Sequence, residues 1–139
     1  MKLVIGGAYQ GKLAYAKEAY RTDSGWIDGT TCSLDGAIDT CRGIYHFHEY
    51  VKRLLQSGQL QESNNSLIDM EQWAAAFAEE LCRRNPDILI VSNELGYGIV
   101  PMEKFDRQWR ELVGRLCTCL AKQSEEVVRV VCGVGMRLK

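Results

Sequence analysis

Leu3-Val4-Ile5-Gly6-Gly7-Ala8-Tyr9-Gln10-Gly11-Lys12 is the stretch on which the reading of this chain turns. An apolar run comes first, then a glycine-bearing turn, then Lys12 at the head of a helix-forming segment. That is the order strand, G-x-x-x-x-G-K, helix, the layout of a phosphate-binding loop. Glycines let backbone N–H groups curl around an anion with no Cβ in the way. The helix N-terminus adds unpaired N–H donors and a partial positive charge. Lys12 adds a mobile full charge for the outer phosphates. The residues expected to hold a nucleotide are therefore Gly6, Gly7, Ala8, Tyr9, Gln10, Gly11, Lys12 and Leu13. Leu13 breaks the pattern, which calls for a hydroxyl that ligates Mg²⁺. The loop predicts phosphate binding better than phosphoryl transfer.

Working outward, 139 residues make one domain's worth of chain, and 1–139 is read as a single P-loop-type nucleotide-binding domain. Its 46% hydrophobic and 25% charged content suits a globular domain with a real core. A net charge of −1, with scattered Lys and Arg, argues against a nucleic-acid surface, which needs a concentrated basic footprint. No apolar run is long enough for a membrane span, and glycines interrupt the apolar start, so no signal peptide is expected. The expected location is the cytoplasm. The six cysteines form no C-x-x-C pair and read as reduced core thiols.

The remaining chain alternates strands and helices. Residues 2–6 read as a buried parallel strand and Lys12 to about Arg21 as a helix. Trp26-Ile27-Asp28 reads as a short strand ending in an acid. Gly29 to Gly43 is mixed, a loop or short helical turns. Ile44 to about Leu55 reads as a helix with Ile44, Phe47, Val51, Leu54 and Leu55 on one face. Residues 57–66 read as a polar loop. Asp69 is an N-cap for a helix that should end before Pro86. Ile88-Leu89-Ile90-Val91 is the strongest strand signal. Pro101 is placed as the first residue of a helix reaching Gln123. Val127 to Cys132 is a last strand, followed by a short tail. The fold class is α/β, a parallel sheet flanked by helices in a P-loop, RecA-like architecture. In such sheets ligands bind at the carboxyl ends of the strands. That places the 6–12 loop, Asp28, Asn93-Glu94 and Gly133-Val134-Gly135 on one rim.

Ser92-Asn93-Glu94-Leu95-Gly96-Tyr97-Gly98-Ile99-Val100-Pro101 resembles the N-E-x-G-x-G-I-V-P signature of the bifunctional adenosylcobinamide kinase / adenosylcobinamide-phosphate guanylyltransferase family. Arg107, Arg110, Gly114, Arg115 and Ala121 keep the spacing of that family's next helix. Cys132 to Lys139 resembles its terminal strand and tail, and Gly6 to Lys12 its phosphate loop. The resemblance covers 1–13 and 88–139, and more weakly Trp26 to Thr31. It implies a cobalamin-pathway enzyme that phosphorylates adenosylcobinamide using ATP or GTP with Mg²⁺, then transfers GMP through a guanylylated histidine. It also implies a homo-oligomer. The family's histidine-bearing segment between the first helix and Asp28 is replaced here by a short turn.

The candidate catalytic residues are Lys12, Glu94 and Asp28. Asp28 is either a Mg²⁺ ligand at a strand end or an acid opening a turn before Gly29. Glu94 is either a carboxylate beside the phosphates or a capping acid. Arg107, Arg110 and Arg115 suit phosphates, and equally a subunit interface or solvent. A substitute guanylyl acceptor has to be His46 or His48, the only histidines. On a helix, residues two apart point about 200° away from each other, so one at most would face the site. His46, on the polar stripe, is the candidate acceptor. The second reading of the whole chain is a non-catalytic nucleotide- or corrinoid-binding relative that kept the fold and lost the chemistry.

Overall fold

The computed structural model describes residues 1–58, 60 and 69–139. The chain runs β1 (Lys2–Gly6), α1 (Lys12–Ala19), β2 (Trp26–Asp28), α2 (Ala37–Thr40), β3 (Gly43–Tyr45) and α3 (Phe47–Gln56). It continues through α4 (Met70–Arg84), β4 (Leu89–Asn93), α5 (Lys104–Gln123), β5 (Glu126–Val131) and β6 (Val134–Arg137). The sheet order is β2-β3-β4-β1-β5-β6. Every neighbouring pair is parallel except β5–β6, which is antiparallel. This is the mostly parallel α/β sheet flanked by helices that the apolar runs predict, with the glycine loop leaving the carboxyl end of an inner strand.

Alternation along the inner strands sends side chains to two separate cores. Leu3, Ile90 and Val127 enter the larger core with Phe47, Val51, Leu81, Leu112 and Leu116, under α3, α4 and α5. Val4, Val91 and Val128 enter the smaller one with Ala16 of α1. One short helix covers that second face, so Tyr15, Tyr20, Trp26 and Tyr45 supply the missing bulk.

Asp69 caps α4 by accepting from the N–H groups of Glu71 and Gln72, and the helix stops at Arg84, before Pro86, as expected. Three expectations are corrected. Gly43-Ile44-Tyr45 is a strand, not the start of a helix; it pairs with β2 on one side and β4 on the other. The helix after Pro101 begins at Lys104 with Glu103 at its N-cap, so Pro101 is not its first residue. The C-terminal tail is a strand, with Val128 opposite Arg137 and Val131 opposite Val134. The polar loop expected over 57–66 lies mostly outside the described residues. Among the described residues no helix is long and apolar enough to cross a membrane.

Candidate functional site

β1 and α1 are joined by a loop whose shape depends on close backbone contacts. A Cβ on Gly6 would stand 2.4 Å from the Val130 carbonyl oxygen, so only glycine lets β1 turn there beside β5. Two hydrogen bonds pin the loop's far side. The Gln10 carbonyl accepts from the Gly133 N–H at 2.9 Å, and Gln10 Oε1 accepts from the Cys132 N–H at 2.7 Å. The β5–β6 turn is thus a brace for the loop. Cys132 and Gly133 both adopt positive φ to make it.

Lys12 opens α1 and is buried. Its Nζ donates to the Gly7 carbonyl at 2.6 Å, folding the ammonium back over the loop. Burial lowers the Lys12 pKa, and the Glu94 carboxylate opposes that shift. An ammonium satisfied by one carbonyl has two N–H donors left for an arriving anion.

The loop forms one side of a cavity of about 540 Å³, a size suited to a small ligand. Residues 8–14 face Tyr45, His46, His48 and Glu49 across it, with Thr30 and Asn93 completing the wall. The N-terminal ends of α1 and α3 both border this space, so two helix dipoles favour negative charge there.

The corrected β3 decides the histidines. Because the strand ends at Tyr45, His46 occupies the left-handed cap of α3 at φ 51, ψ 39, and His48 sits in its first turn. A continuous helix would separate the two rings; here their centroids are 6.0 Å apart and both line the cavity. His46 Nδ1 lies 3.0 Å from Asp28 Oδ1. The same oxygen accepts the Thr30 N–H at 2.9 Å. Burial pushes the Asp28 carboxyl up, but the Thr30 N–H and the His46 ring outweigh it and hold it below its ordinary value.

His48 is buried. Its Nδ1 accepts from the Asn93 N–H at 3.3 Å. A backbone N–H can only donate, so the neutral ring carries its hydrogen on Nε2. Asn93 Nδ2 stands 3.0 Å from Nε2; two donors cannot pair, so the hydrogen bonding assigns the amide the flipped orientation, with its oxygen toward the ring N–H. Trp109 Nε1 donates to the His48 carbonyl at 2.7 Å, tying α5 to α3. Burial lowers the His48 pKa to about 4, helped by the charges of His46, Lys12 and Lys52.

Glu94 follows β4 on the expected rim. Its Oε2 accepts from Arg129 Nε at 3.1 Å, and Arg129 Nη2 also reaches the Tyr97 hydroxyl at 3.2 Å. The three helix arginines do not line the cavity. Arg107 donates to the carbonyls of Pro101 and Met102. Arg110 donates to those of Ile99 and Gly96. Both therefore shape the 96–102 loop. Arg115 pairs with Glu71 and Glu111 on the far side of α5. The sequence reading missed Thr30, Tyr45 and Glu49, and it left His48 without a role. Reading Gly43-Ile44-Tyr45 as a glycine-led strand would have put all but Thr30 on the ligand-binding rim.

Mg²⁺ beside a nucleotide keeps several waters and takes one or two protein oxygens along with the phosphates. Thr30 offers a hydroxyl at the cavity wall, and Asp28 Oδ1 already accepts the Thr30 N–H and faces the His46 ring. Among the described residues no three His, Cys, Asp or Glu side chains converge on a cage. The donors fit an ion brought in by phosphates.

Gly29 holds β2 and β3 together at this edge. Its N–H donates to the Tyr45 carbonyl at 2.8 Å, and a Cβ on it would stand 2.3 Å from the His46 carbonyl oxygen. Gly29→Ala is expected to pry Asp28 from His46 and to cost about 1–3 kcal/mol of stability, the usual range for overpacking. A urea melt of the variant that overlays the natural chain's would refute this close approach.

Comparison with known proteins adds an independent line. A family model described as cobinamide kinase / cobinamide phosphate guanyltransferase matches residues 48–138, more than half of the chain. The bifunctional adenosylcobalamin biosynthesis protein CobU of Salmonella typhimurium is 36% identical over 83 residues, covering 51% of this chain and 46% of that protein. The protein of the same name from Escherichia coli is 39% identical over 74 residues, covering 50% of this chain and 41% of that protein. The matched stretches span less than half the length of either relative. The family match begins at His48, so the 6–13 loop, Asp28 and His46 lie outside it.

Proposed function

This chain belongs to the cobinamide kinase / cobinamide phosphate guanyltransferase family, and on that premise we propose that it phosphorylates a cobinamide-type alcohol with a nucleotide held on the 6–13 loop. One observation carries the reading: the loop, the N-terminus of α1 and a buried Lys12 converge on a single cavity. In this mechanism the loop N–H groups hold the triphosphate, and Lys12 exchanges the Gly7 carbonyl for an outer phosphate oxygen. Mg²⁺ bound with the nucleotide would supply neutralisation of developing charge, and Thr30 on the cavity wall is a residue that would help hold it. Glu94, paired with Arg129, is the proposed acceptor of the hydroxyl proton. Positioning and charge neutralisation supply most of the rate in such transfers.

Two further readings each have a specific observation behind them. His46, on the cavity wall with its ring tied to Asp28, favours retention of a nucleotidyl-transfer step. Leu13, on the same wall without a metal-binding oxygen, favours the binder that has lost its chemistry.

Calorimetric titration with ATP and GTP, with and without Mg²⁺ and then with adenosylcobinamide, tests the proposal. Mg²⁺-strengthened nucleotide binding coupled to corrinoid binding is the expected result; no binding of either nucleotide sinks it. Leu13→Ser is expected to raise Mg²⁺-dependent turnover at least tenfold, which corresponds to about 1.4 kcal/mol for one added metal–oxygen contact. Turnover confined to the Ser variant would establish the natural chain as a binder.

A further inference from the structure

We infer that Arg129 is a positioning residue that tethers the Glu94 carboxylate away from Lys12, so that the ammonium stays open to the phosphates of a nucleotide. The inference rests on the proposed nucleotide site at 6–13 and adds to it the residue that keeps the chain's own acid from quenching the phosphate-binding charge.

The three charges stand around the carboxyl end of β1. Arg129 is opposite Ile5 on one side of that strand. Glu94 follows Asn93, which is opposite Gly6 on the other side. The Glu94 N–H donates to the Gly6 carbonyl at 3.0 Å, so the backbone of the acid is fixed beside the first glycine of the loop. The Lys12 stem passes the same residue: a Cβ on Gly6 would stand 3.5 Å from Lys12 Cδ. Carboxylate and ammonium are thus neighbours, and the Glu94 charge is felt at Lys12, where it opposes the effect of burial. They do not pair. Lys12 Nζ donates to the Gly7 carbonyl, and among the described residues the ion pair of Glu94 is with Arg129, Oε2 to Nε at 3.1 Å.

Arg129 is itself held in place. Its Nη2 donates to the Tyr97 hydroxyl at 3.2 Å. The guanidinium also lies 5.7 Å from the centre of the Tyr97 ring, within cation–π range. These contacts draw the carboxylate across β1 toward the 96–102 loop.

Only 18% of the Glu94 side chain is exposed, so solvent screens its charge poorly. Stripped of Arg129, such a carboxylate is left uncompensated and turns to another cation within reach. Lys12, with two N–H donors uncommitted, is that cation. Carboxylate and phosphate would then compete for one ammonium, and the phosphate would also meet a like charge at close range. With Arg129 present, the acid is satisfied on the far side of β1 and Lys12 keeps its free donors for the ligand. A bridge that served only as a strut between β4 and β5 would govern stability and have no such bearing on anion affinity.

The test is a double-mutant cycle on the full chain, read by calorimetry with GTP and with inorganic triphosphate. Arg129→Gln should weaken both ligands about tenfold, in the middle of the range for coupling within one ion-pair network. Arg129→Lys, which can still pair with Glu94, should recover most of that loss. Glu94→Gln alone should gain less than about threefold, the scale of a screened charge. Added to Arg129→Gln, the Glu94→Gln change should restore the affinity of the natural chain, because an amide cannot neutralise Lys12. Equal losses on removing Arg129 with and without the Glu94 carboxylate would make Arg129 a strut or a distant cation and overturn the inference. So would an Arg129→Gln chain that binds both ligands as the natural one does. A tenfold gain in Glu94→Gln alone would mean that the acid already quenches Lys12, and it overturns the tether even if Arg129→Gln fails to fold. All three results leave the nucleotide site standing. A natural chain that binds neither GTP nor triphosphate overturns the site itself, and the tether with it.

Discussion

Lys12→Ala is expected to lower nucleotide affinity about 100-fold or more and to abolish measurable turnover, while leaving the unfolding midpoint close to that of the natural chain. The size follows from what Lys12 does in its pocket. Its ammonium is buried, and burial already lowers its pKa, a sign that the charge is incompletely solvated. It has one protein acceptor, the Gly7 carbonyl at 2.6 Å, and one nearby carboxylate influence, from Glu94. An arriving phosphate would replace water with a full opposite charge where screening is weak. Removing one preorganised donor from such a site typically costs 100- to 1,000-fold in rate, or about 2.7–4 kcal/mol.

Stability should respond differently. Truncation removes a poorly compensated buried charge along with one hydrogen bond, and these effects oppose each other. The contrast is the diagnostic. Calorimetry with GTP and a urea melt on the same preparation check it together. If Lys12→Ala binds GTP within about threefold of the natural chain, the loop is an inherited turn rather than a phosphate site.

What the sequence revealed of this site, and what it hid, has physical causes. The β1–loop–α1 unit was legible because strand, glycine turn and lysine each have a local reason. β4 was legible because a short β-branched run has few alternative fates. β3 was not. Ile44, Phe47 and Val51 fall three and four residues apart, so the strand residue continues the helical stripe of α3 by coincidence. The misread junction then inverted the geometry of the histidines. A helix through 44–48 would point them apart, whereas a strand that ends at Tyr45 brings both rings to one cavity. β6 was hidden for another reason. Its hairpin turns at Cys132-Gly133, and cysteine is not a residue that advertises positive φ. The arginines show the limit of helical spacing. It puts Arg107, Arg110 and Arg115 on α5, but it cannot tell a guanidinium reserved for phosphate from one consumed by the carbonyls of a neighbouring loop.

Acidification should unfold this chain in a window set by His48, and the direction can be worked out from its proton binding. In the folded state the His48 pKa falls from 6.5 to about 4, first because the ring is buried, then because His46, Lys12 and Lys52 repel a second positive charge. The unfolded chain therefore binds a proton at higher pH than the folded chain does. The stability that depends on a neutral His48 is fully present above pH 6.5, declines as the pH falls, and is gone at about pH 4. A shift of that size corresponds to roughly 3 kcal/mol, a large fraction of a small domain's stability. The local contacts give the same answer. A protonated ring would need an acceptor at Nδ1, where the Asn93 backbone N–H stands. It would therefore break the link between α3 and the end of β4, and strain the α5 contact that Trp109 makes to the His48 carbonyl. Urea midpoints measured from pH 7.5 to pH 4.5 should fall steeply below pH 6.5 in the natural chain. In His48→Gln, which keeps an amide in the pocket but cannot take up the proton, the midpoint should start lower and fall much less. Parallel slopes in the two proteins would assign the acid sensitivity to other groups and refute the neutral, buried state of His48.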